Sequence, residues 1–125
     1  MKSRNLMQSI GYAWEGLCYA FQTQRNMRIH TVFAVLALLA AYALGLNTGE
    51  LAILLLTIFL VMGAELFNTA IETTVDLCTS EYNYLARRAK NVAAAAVLVS
   101  AFMAVLIGCF LFGPHVVRIW ISLRR

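Results

Sequence analysis

Charge is scarce in this sequence: 13% of its 125 residues are Asp, Glu, Lys or Arg. A soluble domain of this size carries about a quarter charged residues, so that class is excluded first. The basic residues outnumber the acidic ones, ten to six, for a net charge of +4. This does not point to nucleic acid, because the Lys and Arg residues flank apolar runs instead of forming a stripe, and no nucleic-acid motif occurs. They fit topology signals and contacts with anionic headgroups. Cysteine is confined to Cys18, Cys78 and Cys109. Without metal-ligand spacing, and in or beside apolar segments, these read as small buried thiols. There is no G-x-x-x-x-G-K-[ST] run and no protein-kinase glycine loop, which excludes the standard nucleotide cradles. The opening M-K-S-R-N-L-M-Q has no continuous apolar stretch, so no signal peptide is expected.

What fills the chain is apolar: 62% of residues are hydrophobic, and the mean hydropathy is +0.75. One all-α membrane domain is expected over residues 1–125. Spanning helices are expected at 29–46, 50–77 and 91–112, each able to cross a ~30 Å hydrocarbon core. Residues 5–25 place Leu6, Ile10, Ala13, Trp14, Leu17, Cys18 and Phe21 at helical spacing. That pattern predicts an amphipathic helix lying in the membrane interface. G-L-N-T-G between the first two spans reads as a turn. After Pro114, residues 114–125 are expected to form a short interfacial helix anchored by Trp120, with His115 in a loop. Lys2, Arg4, Arg25 and Arg28 precede the first span, and Arg87, Arg88 and Lys90 lie between the second and third. Both regions are therefore expected on the cytoplasmic side.

Four polar residues interrupt the second span: Glu65, Asn68, Glu72 and Asp76 in A-E-L-F-N-T-A-I-E-T-T-V-D. Spaced by three, four and four, they project from one side of a helix within roughly 80° of arc. Before them, residues 51–64 are apolar except for Thr57. Carboxylates on such a segment are costly to desolvate and normally face a protected site with a cation or proton to handle. Lys90, Arg25, Arg28, Tyr12, Gln24 and Asn26 fall at the same membrane boundary. Carboxylates that hold a divalent cation, a lysine that neutralises phosphate, and one further carboxylate that takes a proton suit phosphoryl transfer. Spacing alone reaches only a polar intramembrane site for a cation or phosphate.

E-L-F-N-T-A-I-E-T-T-V-D, S-E-Y-N-Y-L-A-R-R-A-K, G-Y-A-W-E-G-L, R-N-M-R-I-H and the alanine-rich third span resemble the small bacterial integral-membrane lipid kinases. These are the prokaryotic diacylglycerol kinase and undecaprenol kinase family. The resemblance runs without gaps from about residue 11 to residue 107, and R-N-M-R-I-H with A-A-A-A-V-L is closer to the undecaprenol branch. It implies a homotrimer of three-span subunits with an added surface helix and composite sites between subunits. It also implies Mg2+-dependent transfer of the ATP γ-phosphoryl group to a lipid alcohol at the cytoplasmic face of a bacterial cytoplasmic membrane. By position it implies Glu65 as general base, with Asn68 as its hydrogen-bonding neighbour and Glu72 as metal ligand. Lys90 would contact the phosphates and Asp76 would support the site from the next turn. Glu81, Tyr82, Asn83 and Tyr12 would line the nucleotide pocket. Trp14, Arg28, His30 and Ala94, with Glu65, would meet the lipid.

Two positions depart from the family pattern. Its second metal-binding carboxylate falls at Gln24, and the acidic residue after the phosphate lysine falls at Asn91. Both changes keep shape and remove negative charge, and an amide oxygen is a poor replacement for a carboxylate around Mg2+. A weakened kinase or a non-catalytic lipid or nucleotide binder is thus a second reading. A small channel or proton-coupled transporter is a third, disfavoured because the polar stripe does not continue toward the other leaflet.

Overall fold

The computed structural model describes residues 5–124 as four α-helices joined by short connections. Lys2, Arg4 and Arg125, which enter the charge pattern, lie outside the described residues. Helix α1 (Leu6–Thr23) starts at Asn5, whose side chain accepts the Gln8 N–H at 2.9 Å. It ends at one extended residue, Gln24 (φ −98°, ψ 116°), and α2 (Arg25–Leu44) starts directly after it. The helix that holds the first expected span therefore starts at Arg25. The polar run T-Q-R-N closes the last turn of α1 on itself: Gln24 N–H reaches Ala20 O at 2.8 Å and the Thr23 hydroxyl reaches Tyr19 O at 2.8 Å.

Gly45 stops α2 with φ +66°, and Leu46 N–H reaches back to Ala41 O at 3.1 Å. Glycine takes that left-handed conformation without a Cβ clash. Helix α3 (Thr48–Cys78) opens on a reciprocal cap. Glu50 N–H donates to Asn47 Oδ1 at 3.0 Å, and Asn47 N–H donates to Glu50 Oε2 at 2.8 Å. Asn47→Ala is expected to lower stability by about 1 kcal/mol, measurable as a shift in thermal unfolding of the detergent-solubilised protein followed by helix content.

Asn83 caps α4 (Tyr84–Leu123), accepting from Leu85 N–H at 2.9 Å and Ala86 N–H at 3.2 Å. This helix differs most from expectation. Arg87, Arg88 and Lys90 lie on its opening turns rather than in a loop. At the other end it runs through Pro114 to Leu123, so no separate tail helix forms. Proline deletes one backbone bond, but its φ is helical, and the flanking turns are pinned on both sides. Leu111 packs with Ala41 and Leu54, and His115 Nε2 lies 3.1 and 3.3 Å from the two Glu50 carboxylate oxygens. His115 is thus a helical residue bound to the α3 cap. Trp120 sits on the same helix, with the Arg124 guanidinium 3.5 Å from its ring centroid.

Helices α2, α3 and α4 are long and apolar enough to cross a membrane. Among the described residues only eight apolar side chains are buried, whereas Phe33, Phe59, Phe67, Leu98, Phe102 and Phe110 point outward. Such a surface requires an apolar medium or a further subunit around it. Helices α3 and α4 pack antiparallel and are tied at both ends, by Lys90 with Asp76 and by His115 with Glu50. The two ties are about 38 Å apart by helical rise, enough to place both at the polar margins of a ~30 Å apolar core. Helix α1 packs on α2 and α3 at the Lys90 end. The polar stripe runs along the part of α3 that α1 flanks and ends at that tie.

Candidate functional site

The buried side of α3 reads Leu54, Thr57, Val61, Glu65, Asn68 and Thr69, one continuous helical face. Along it the environment grades from apolar to aqueous. Thr57 and Thr69 satisfy their hydroxyls on their own helix, at Ile53 O and Glu65 O, both at 2.8 Å. Glu65 is 1% exposed, and neither of its carboxylate oxygens has a hydrogen-bond partner. Asn68 is also buried; its Nδ2 donates to Glu72 Oε1 at 3.0 Å, while its Oδ1 has no partner. Glu72 is half-buried, and its Oε2 accepts from Gln24 Nε2 at 3.4 Å. Asp76, one turn on, is exposed and pairs with Lys90 Nζ at 2.5 Å.

The structure therefore joins Gln24, Asn68 and Glu72 directly, with Glu65 one turn deeper and the Asp76–Lys90 pair one turn shallower. The break at Gln24 makes this possible. A continuous helix from α1 into α2 would fix its side chain by helical period, whereas the extended residue turns it onto α3. Its side chain makes no capping bond to α2 and is free to reach Glu72.

The remaining candidate residues make no hydrogen bond or ion pair with the stripe. Tyr12 and Trp14 are exposed on α1, Arg28 is exposed and His30 half-buried on α2, and Ala94 and Asn91 are exposed on α4. Glu81, Tyr82 and Asn83 lie exposed in the α3–α4 connection. Asn83 has a structural task that the sequence reading did not assign, since its side-chain oxygen caps α4. N-Y-L-A, a cap-forming residue just before a helical run, carries that signal. Thr69 was also missed; it lies four residues after Glu65, which places it on the same buried face.

Two grooves flank α3. One of about 430 Å³ runs between α1 and α3, bounded by Ala13, Gly16, Ala20, Leu66, Thr69 and Thr73. The other, about 370 Å³, runs between α3 and α4 and brings Asn68 together with Gly63, Ala64, Ala93, Ala96 and Ser100.

A buried carboxylate without a donor or cation is strongly unfavourable. Glu65 Oε1 and Oε2 and Asn68 Oδ1 are three acceptor oxygens in that condition. The site is thus built for something that brings a proton donor or positive charge. Among the described residues no three His, Cys, Asp or Glu side chains gather to hold a metal. Mg2+ commonly takes only one or two carboxylates, with phosphate oxygens and water completing its shell. Glu72 and the neighbouring acceptors fit a cation delivered with phosphate, not one caged by the protein alone.

Fold and site together define a helical membrane protein with an intramembrane carboxylate–amide stripe opening at one boundary. Residues 11–112 match the prokaryotic diacylglycerol kinase family. The chain is 50% identical over 112 residues to a diacylglycerol kinase of Synechocystis sp., a match covering 88% of this chain and 64% of that protein. It is 36% identical to the diacylglycerol kinase of Escherichia coli K12, covering 88% of this chain and 90% of that protein. It is 37% identical to an undecaprenol kinase of Bacillus subtilis, covering 86% and 87% of the two chains. The chain belongs to the prokaryotic diacylglycerol kinase family of membrane lipid kinases.

Proposed function

We propose that this protein transfers the γ-phosphoryl group of ATP to the hydroxyl of a membrane lipid, with Mg2+ as cofactor. The observation that carries the reading is Glu65: a buried carboxylate with both oxygens free, one turn from an amide–carboxylate cluster that opens toward water. In this reading the lipid hydroxyl enters from the apolar side and Glu65 Oε takes its proton as the oxygen attacks the γ-phosphorus, whose bond to the β,γ-bridging oxygen breaks and releases ADP. Asn68 orients the hydroxyl through its free Oδ1. Glu72 would hold Mg2+, which supplies charge neutralisation at the phosphates. Lys90 contacts the same phosphates once Asp76 releases it. Glu81, Tyr82, Asn83 and Tyr12 line the nucleotide side, while Trp14, Arg28, His30 and Ala94 face the lipid. Asn91 stands next to Lys90 without adding negative charge.

The apolar outer faces of the bundle need cover that one subunit does not provide, which supports an oligomer; three subunits is the number the family resemblance implies. Helix α1 lies in the cytoplasmic interface in this reading, with Leu6, Met7, Ile10 and Trp14, all exposed, turned into the bilayer. Undecaprenol is the proposed acceptor, on R-N-M-R-I-H and A-A-A-A-V-L; the names of the Synechocystis and E. coli relatives put diacylglycerol next. A non-catalytic lipid or nucleotide binder is the second reading, favoured by the amides at positions 24 and 91.

The test supplies the protein in neutral detergent with labelled ATP, Mg2+ and either lipid. Labelled undecaprenyl phosphate formed faster than phosphatidic acid is the expected result. The reverse order reassigns the acceptor, and ATP binding without either product supports the non-catalytic reading.

A further inference from the structure

We propose that Gln24 is an amide latch on Glu72, which keeps that carboxylate closed to a free divalent cation. The cation is then taken up only together with a phosphate ligand. The inference rests on the kinase reading solely for the identity of that ligand.

Each oxygen of Glu72 already has one amide donor, Asn68 Nδ2 at 3.0 Å on Oε1 and Gln24 Nε2 at 3.4 Å on Oε2. An N–H donated to a carboxylate oxygen takes one of its two lone pairs and draws negative charge from the other, so each amide donor makes that oxygen a weaker ligand for a metal ion. The two donors are not equivalent. Asn68 is on the same helix, four residues before Glu72, and moves with it. Gln24 reaches across from the break between α1 and α2, and its longer bond is the weaker of the two. Oε2 is therefore the oxygen a cation wins first, and displacement of Gln24 is the step that opens it. The backbone at Gln24 is held by its N–H to Ala20 O at 2.8 Å, so the side chain can swing away without unwinding either helix. No other His, Cys, Asp or Glu among the described residues joins Glu72 in a metal-binding group. One latched carboxylate is too little to hold Mg2+ against its own hydration; phosphate oxygens supply the missing ligands.

The test is Mn2+ binding, followed by the loss of the free Mn2+ electron-paramagnetic-resonance signal, without nucleotide, in a neutral detergent that binds no metal. Wild type is compared with Gln24→Met, which keeps bulk and removes the donor, with Gln24→Glu, and with Glu72→Gln as blank. Wild type is expected to match the blank up to millimolar Mn2+. Gln24→Met should bind at least threefold tighter than wild type, and Gln24→Glu at least tenfold tighter. Wild-type binding as tight as that of Gln24→Glu overturns the latch. So does a Gln24→Met titration superimposed on wild type, because added charge and not a lost donor then explains Gln24→Glu. Lipid phosphorylation by wild type is measured on the same samples. The expected order of Mn2+ affinities without any phosphorylation leaves the latch standing and removes the kinase reading; phosphorylation with equal affinities does the opposite.

Discussion

Glu65→Gln is expected to reduce lipid phosphorylation by about 10²–10⁴-fold, the range for loss of a positioned general base. The amide keeps the shape of the carboxylate and removes its ability to accept a proton. Two features separate this outcome from simple unfolding. Glu65 is buried with both oxygens unpartnered, so replacing the charge with a neutral amide relieves desolvation and should leave thermal stability equal or higher. The KM for ATP should stay within about threefold of wild type, because the proposed nucleotide-side groups, Glu72 and Lys90, lie about two or more helical turns away. A single-turnover assay checks the chemical step directly. Retained turnover in Glu65→Gln would remove Glu65 from the reaction.

Lys90→Met is expected to lower kcat/KM for ATP by about 10²–10³-fold, as for loss of one preorganised charge-stabilising donor. Its present partner, Asp76, is 65% exposed and Lys90 itself 35% exposed. Exposed pairs of this kind contribute little to stability, so unfolding should barely move while nucleotide kinetics collapse. Lys90→Arg keeps the charge but not the compact ammonium, and an intermediate loss is expected. The Asp76 tie predicts one further asymmetry: Asp76→Asn frees the lysine and should affect kcat/KM for ATP less than Lys90→Met does. Equal losses in both variants would mean that the pair acts only as a unit.

The spacing of Glu65, Asn68, Glu72 and Asp76 was legible because helical period and apolar surroundings are local properties. Three apolar runs likewise announced three helices able to span a membrane. The grading of the stripe was not legible. Four residues on one face look alike in sequence, yet Glu65 is sealed and Asp76 is wet, because the other helices cover α3 unequally along its length. Pro114 misled for a related reason. Its missing N–H is a local fact and favours a helix end, but the pairing of His115 with Glu50 joins positions 65 residues apart and holds the helix together. Gln24 stood out only as an amide where an acid was expected by resemblance. That it occupies a one-residue break and turns onto Glu72 follows from no local signal.

The order of amino acids alone determined that this chain lives in lipid, crosses it as helices, and carries acids where none should be tolerated without a task; periodicity and hydropathy are properties of neighbours along the chain. Tertiary structure decided which of those acids is dry, which is latched by an amide, and which is tied to lysine. Those outcomes depend on what other helices bring alongside, and burial and donor geometry arise only when distant segments meet.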